Sequence, residues 1–391
     1  MISDLAQRGH PVEVVGNGSK REIGRPLQAA VGISTSAFKG ITLYEPTELV
    51  MSALAGTPLA LIEEELGRRG QMLAFEPLDM GPALGLPVRQ ATIGGVFATN
   101  LSGPRRLSAG AARDHLLGVR GVNGRAEVFK SGGRVMKNVT GVDLVRGVAG
   151  SWGTLAVLTE VTFKVMPVPE DAQTLVFFGL PDDIAVELLT AAVGTPYEIT
   201  GAAHLQAAVA ARLQYEALRL QGKSVTAIRI ENFSRSIDYR RGKLKEILQA
   251  YGRCHELGRD NSMAFWSELS TLSVMPAGES MLWRISTAPR KGPEAVKAIA
   301  RYMAVQAFYD WSGGLVWLET PPSADAGAAD IRRVMASLGG HATLVRADPA
   351  VRAAIDVFQP PNPAIARLTQ GIKDAFDPSH ILNPGRMYAR L

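Results

Sequence analysis

The chain has 391 residues, 46% hydrophobic and 20% charged, which excludes disorder, a collagen-like repeat and a small disulfide-stapled scaffold. Forty-two basic against 37 acidic side chains leave a formal charge of +5 spread along the chain, which points to an anionic small ligand or partner rather than nucleic acid. A lone cysteine, Cys254, excludes an internal disulfide and a cysteine-held cluster, and makes a reducing, cytoplasmic setting the default.

The first residues lack a basic stretch followed by an apolar one, so no signal peptide is read. The longest apolar run, 49–62, is broken by Gly56 and Pro58, so no direct membrane insertion is expected. Residues 12–15 are a β-rich run ending in Gly16-Asn17-Gly18-Ser19-Lys20, a strand entering a tight loop. A second strand is expected at 41–44. A helix follows with Thr57 as its N-cap, Pro58 at its first position, Leu59, Ile62 and Leu66 on one face and Gly67 and Gly70 at its end. Residues 77–110 are dense in glycine, proline and small side chains and read as a long irregular stretch, which in a compact domain is usually functional.

Short strands return at 119–122, 126–130, 134–138 and 155–165, punctuated by Asn123-Gly124 and Gly132-Gly133 as hairpin signals, and Pro167 and Pro169 close the block. Beyond them, helices expected at 185–193, 203–220, 240–252 and 293–309 alternate with strands at 174–179, 224–231, 280–286 and 314–319, the pattern of a sheet with helices on one face. A last helix at 363–376 leads into Asp377-Pro378 and Asn383-Pro384-Gly385-Arg386. The fold class is α+β, with domains at 1–168 and 169–345 and a C-terminal segment at 346–391.

Three glycine-rich segments carry chemistry. In Gly16, Asn17, Gly18, Ser19 and Lys20, successive backbone N–H groups after a strand suit anionic oxygens, and Lys20 adds charge; the spacing is neither that of a P-loop nor of a dinucleotide fingerprint, and an ordinary turn has the same composition. In Thr92, Ile93, Gly94 and Gly95, continuing through Asn100 to Gly103, paired glycines admit a planar ring or a pyrophosphate against the backbone; a buried packing turn would look alike. Gly153, Thr154 and Val157 lie in a loop entering a strand, where backbone edges can pair with a heterocycle. The six histidines show no metal-binding spacing, so no metal site is expected and each reads as a surface or satisfied core residue. Cys254-His255 are adjacent in a helical pattern and do not face each other as a nucleophile pair.

Together and in this order, these segments resemble the FAD-binding domain of the FAD-linked oxidases, the vanillyl-alcohol oxidase or PCMH-type flavoproteins. The resemblance implies a PCMH-type FAD domain completed by the C-terminal segment, including Asn383, around an α+β cap domain. It places the pyrophosphate on Gly16–Lys20, and the flavin against the Thr92 and Gly153 segments. Ser102-Gly103-Pro104-Arg105-Arg106, Arg113-Asp114 and the run from Gly132 to Leu144 are similar to the smaller FAD-binding subunit (E) of bacterial glycolate oxidases. That likeness implies a complex with a larger homologous flavin subunit and an iron–sulfur subunit, reaching the membrane through the complex and oxidising glycolate or a related small 2-hydroxy acid. Ser19 stands where covalent members place histidine, so FAD is expected to be non-covalent. Ala156 stands where many members carry glycine, and no histidine-rich motif matches the C-terminal site of the family's D-2-hydroxy-acid dehydrogenases.

In the implied chemistry an arginine clamps the substrate carboxylate. Arg229 and Arg284, on expected cap strands, fit that role or that of structural ion pairs, and no catalytic base is assigned. Three readings follow: a catalytic flavin subunit, a non-catalytic relay or scaffold supporting a catalytic partner, and a stand-alone oxidase of another alcohol. Valine at Gly94 or Gly95 is expected to intrude on the flavin.

Overall fold

The computed structural model describes residues 1–133 and 143–389; the strand expected at 134–138 and much of the 132–144 resemblance lie outside them. In chain order the strands are β1 (Val12–Val15), β2 (Val31–Ser34), β3 (Ile41–Glu45), β4 (Val50–Leu54), β5 (Gln71–Met72), β6 (Leu116–Asn123), β7 (Val128–Gly132), β8 (Ala156–Lys164), β9 (Met166–Pro167), β10 (Asp171–Phe178), β11 (Ile199–Leu205), β12 (Val225–Asn232), β13 (His255–Leu257), β14 (Met281–Ser286), β15 (Gln306–Asp310), β16 (Leu315–Thr320) and β17 (His341–Arg346).

β1 and β2 pair in parallel, and Val12 also bridges to Leu382, so the C-terminal segment lies alongside β1. A five-stranded antiparallel sheet has the order β3-β4-β8-β6-β7. Val161 and Phe163 on β8 face Ala53 and Met51 on one side and Val119 and Leu116 on the other. Alternate residues of a strand share one face, and this face packs against Leu59, Ile62 and Leu66 of the helix Leu59–Gly67 and against Val96 and Phe97. That helix is capped by Pro58, not Thr57: the Thr57 Oγ1 donates to Leu54 O and accepts from Gly40 N–H instead.

The second sheet has eight strands in the order β13-β10-β12-β11-β15-β16-β14-β17. Helices Asp182–Val193, Ser234–Leu248, Lys291–Ile299 and Ala328–Leu338 cover one face. Helix Arg259–Ser270, together with Ile23, Leu78, Met80 and Leu101 from the first part of the chain, covers the other, so both faces are buried and the one-sided expectation is corrected. Two expected helices are also corrected. Residues 203–220 begin inside β11, followed by two single turns. Ala202 and Ala203 are wholly buried on opposite faces, and Gly201 sits so close to the Trp266 ring that a Cβ would lie 2.8 Å from it. Small side chains are there to fit a sheet covered on both sides, which overrides alanine's helical preference. Residues 293–309 end as a helix at Ile299 and re-enter as β15, whose Phe308 and Tyr309 point to opposite cores.

Candidate functional site

The three glycine-rich segments meet in one cleft. β1 hands the chain to the Gly16–Lys20 loop; the helix Ile93–Thr99, unread in the sequence, forms a wall with Thr92 as its N-cap; and Trp152-Gly153 close the third side. A Cβ on Gly16 would lie 2.5 Å from the Thr92 Oγ1, and one on Gly153 2.7 Å from the Asn383 Nδ2. Glycine at these two positions therefore allows the segments to approach. Asn383 joins them: its Oδ1 accepts from the Val14 N–H at 2.7 Å and its Nδ2 donates to Trp152 O at 2.7 Å.

Of the residues expected at this site, Gly16, Asn17, Gly18, Ser19, Lys20, Thr92, Gly94, Gly95, Gly153 and Asn383 line the cleft. Five do not. Ile93 and Val157 are buried in hydrophobic cores. Thr154 is held beneath the site, its hydroxyl on Ser151 O and its carbonyl accepting from the Lys373 Nζ. Gly103 abuts Glu76 and accepts from the Trp311 Nε1. Asn100 lines a neighbouring cavity, its Oδ1 accepting from the Arg113 N–H. The sequence reading did not name Thr35, Ala55, Thr99, Trp152 and Arg386 in the cleft; Thr99 and Trp152 lie within or beside the glycine-rich segments and Arg386 in the Asn383-Pro384-Gly385-Arg386 motif, whereas Thr35 and Ala55 carried no signal.

The cleft's glycine-rich end is cationic. Burial depresses the Lys20 ammonium to about 8, against a raising influence from Asp79. Burial likewise brings Arg386 to about 10; its Nε is buried without a hydrogen-bond partner while its Nη2 donates to Lys20 O at 2.6 Å. Arg21 is already paired with Glu13. A buried ammonium and an orphaned guanidinium nitrogen beside a glycine turn, with Ala55, Ala98, Ala156 and Leu158 further along, suit a ligand with an anionic middle and a flat apolar end. FAD has that chemistry, and these residues fit it.

Thr99 and Trp152 also line a second cavity, of about 470 Å³. It collects Arg106, Arg113, Arg284 and His341, and no carboxylate lines it among the described residues. Arg229 is not there: both of its Nη atoms donate to the Glu76 carboxylate at 2.8 Å, and its guanidinium lies 4.7 Å from the Trp266 ring. Of the two arginines expected as clamps, one is a structural ion pair and the other faces a cavity. Arg284 makes no ion pair among the described residues, and its Nε is buried and unpartnered. Burial, then the neighbouring Arg106, brings it to about 10. The Arg106 guanidinium sits 4.2 Å above the Trp311 ring and that of Arg284 5.3 Å from it. Trp311 and Ser312 both have positive φ, 51° and 61°, a strained backbone held by Trp311 N–H on the Asp310 Oδ1 and Trp311 Nε1 on Gly103 O.

Comparisons with known proteins bear on the family and the fold. Residues 1–132 match the family model described as an FAD binding domain. The chain is 32% identical over 389 residues to the glycolate oxidase subunit GlcE of Escherichia coli, covering 97% of this chain and 93% of that protein. It is 40% identical over 85 residues to the glycolate oxidase subunit GlcD of Bacillus subtilis, covering 22% and 18%. Among solved structures, p-cresol methylhydroxylase with substrate bound superposes with a TM-score of 0.71 at 14% identity, covering all of this chain and 86% of that one; this shows the fold.

Proposed function

The chain belongs to the FAD-linked oxidoreductases of the glycolate oxidase subunit family, and we propose that it is the FAD-binding subunit of a complex that oxidises glycolate or a related small 2-hydroxy acid. In this reading residues 1–168 and 346–391 hold FAD, non-covalently because Ser19 offers no attachment, and residues 169–345 form the cap over the substrate. The pyrophosphate lies by Gly16–Lys20 with Lys20 and Arg386, and the flavin lies along Thr92, Gly95 and Gly153 towards Trp152. The single observation that carries the reading is the unpaired Arg284–Arg106 pair in a cavity sharing Thr99 and Trp152 with the cofactor cleft.

When bound, FAD would supply the two-electron acceptor that oxidation of a 2-hydroxy acid to a 2-oxo acid requires. The chain's own groups do the rest. Arg284 and Arg106 hold the carboxylate, a charge-assisted contact strengthened by burial. His341, at the exposed start of β17 on the same cavity, is held below its ordinary range by desolvation and then by Arg284 and Arg106, and takes the hydroxyl proton. A larger homologous flavin subunit and an iron–sulfur subunit receive the electrons. The relatives named as glycolate oxidase subunits support such an assembly.

Anaerobic addition of glycolate or D-lactate to the FAD-loaded chain tests this. Bleaching of the oxidised flavin band in wild type, with at least tenfold slower bleaching in Arg284→Gln at equal FAD content, is the expected result. A flavin that stays oxidised with every 2-hydroxy acid tried overturns it in favour of a relay subunit.

A further inference from the structure

The helix Pro363–Phe376 sits on the protein by its polar side. A surface helix normally buries its apolar stripe. Here Ile365, Leu368 and Ile372, on one face at i, i+3 and i+7, stay 49%, 65% and 49% exposed, and the helix's only buried residue is Lys373. Lys373 fastens the helix: its Nζ donates to Asp377 Oδ2 at 2.8 Å, to Leu382 O at 2.9 Å and to Thr154 O at 2.7 Å. The apolar face therefore contributes nothing to holding the helix down, and a contiguous exposed stripe of this kind marks an interaction surface. Beside it runs a groove of about 180 Å³, between Thr369 and Ile372 on the helix and Gly147, Ala149, Leu155 and Tyr388 opposite. The groove backs onto the cofactor cleft. Ser151 and Thr154 line the groove, and the two residues between them, Trp152 and Gly153, line the cleft.

Charge narrows the occupant. Arg367, next to Leu368, is exposed, and Arg125 caps the far end of the helix with its Nε on Ala375 O at 3.0 Å; neither has a carboxylate partner among the described residues. The carboxylates nearby are engaged. Asp374 accepts from His380 and Gln370 at 2.7 Å each, Glu127 accepts from the Asn123 Nδ2 at 2.8 Å, and Asp143 accepts from the Arg146 N–H at 3.1 Å. Two copies of this chain pairing through the stripe would double the uncompensated charge at one interface. A lipid surface would cover the stripe and leave the groove empty. A protein ridge with an apolar knob set among carboxylates answers the stripe, the groove and the two arginines together.

Resting on the complex reading above, we propose that this face is the docking surface for the iron–sulfur subunit. A cluster held by thiolates is itself anionic, and its carrier, seated here, is one wall from the cofactor. The larger flavin subunit, a homologue, keeps its own cofactor behind a second such wall, so the acceptor suited to this face is the cluster carrier.

Co-expression of the FAD-loaded chain with a tagged iron–sulfur subunit, and separately with a tagged larger flavin subunit, tests the surface without turnover. Wild type is expected to co-purify with the iron–sulfur subunit. Leu368→Glu should lower that recovery at least about tenfold, as the loss of a central apolar contact does, while Leu368→Met retains it. Arg367→Glu should weaken binding about three- to tenfold and remove most of its salt dependence. The free variants should keep wild-type FAD content and denaturation midpoints, because these side chains are exposed; a lowered midpoint in Leu368→Glu would make the stripe part of the fold and overturn the proposal. Recovery that survives both Leu368→Glu and Arg367→Glu overturns the surface and leaves the complex reading standing. So does co-purification with the larger flavin subunit alone, a wild-type dimer that Leu368→Glu splits, or a Leu368→Glu defect confined to binding phosphatidylglycerol vesicles. Wild type that binds neither subunit overturns the complex reading, and this surface with it.

Discussion

At the scale of single residues, the cleft holds cations whose burial outweighs the pull of their nearest carboxylates. Lys20 is the clearest. With its ammonium buried and its affinity for a proton lowered to about 8, it is charged at pH 7 and neutral above pH 9. An anionic pyrophosphate beside it favours the charged form, so binding above pH 8 must take up a proton. Linkage then requires FAD affinity to fall as pH rises through 8, by up to about tenfold per pH unit for one linked proton. Lys20→Gln should bind FAD more weakly at pH 7 and lose this slope. Flavin fluorescence titrations at pH 7, 8 and 9 check it, and a wild-type Kd constant across that range would place the pyrophosphate away from Lys20.

At the scale of elements, the helix Ile93–Thr99 shows why neighbouring glycines are not interchangeable. A Cβ on Gly94 would lie 2.7 Å from both the carbonyl oxygen and the Cβ of Ala55, the residue following β4, whereas one on Gly95 would meet only the Thr92 Oγ1, at 3.2 Å. Gly94 therefore lets the helix settle on the sheet, and Gly95 keeps the cleft wall flat. Both positions line the cleft, but their neighbours differ: Gly94→Ala should cost roughly 1–3 kcal/mol through overpacking, while Gly95→Val should leave the denaturation midpoint nearly unchanged and abolish FAD retention. Denaturant melts and FAD content of the two purified variants separate these outcomes; equal loss of stability in both would refute the division. The same helix marks the limit of sequence reading. The glycine segments, β1 and the C-terminal helix Pro363–Phe376 were legible because they have local signatures, a turn residue or an amphipathic period. Helix Ile93–Thr99 was not, since glycine and threonine are poor helix formers and tertiary contact with β4 holds it. Nor was β11, whose alanines read as helical until the sheet is covered on both faces. The pairing of Arg106 with Arg284 across Trp311 was invisible because nothing local links the three residues.

At the scale of the whole molecule, a four-residue ion cluster ties the N-terminal part of the chain to the eight-stranded sheet. Glu76 and Arg105 come from the N-terminal part of the chain, Arg229 and Glu231 from β12. Both Arg229 Nη atoms donate to Glu76, the Arg105 N–H donates to the Glu76 Oε2 at 2.7 Å, and the Arg105 Nη2 donates to the Glu231 Oε1 at 2.7 Å. The cluster is neutral, two cations against two anions, which is what makes its burial tolerable. It also helps place the cavity's arginines, because Arg105 precedes Arg106 and Gly103 anchors Trp311, over whose ring Arg106 and Arg284 lie. Burial pulls the Glu76 carboxyl upward, but Arg229 and Arg105 together hold it below its usual range. A carboxylate whose folded-state value is depressed contributes stability that is fully present above its unfolded value, near 4.3, and drains away as pH falls towards the folded one. Glu76→Gln should therefore cost roughly 3–5 kcal/mol at pH 7 by leaving Arg229 with a shared partner, and should flatten the acid limb of the stability curve below pH 5. Replacing both Glu76 and Arg229 by apolar residues should cost less than Glu76→Gln alone, since no unpaired charge is then buried. Urea melts at pH 4, 5 and 7 read both effects. A Glu76→Gln loss under about 1 kcal/mol, with the acid limb unchanged, would mean that the two parts are held by their apolar contact, with Ile23, Leu78 and Leu101 as the fastening and the ions as a passive seam.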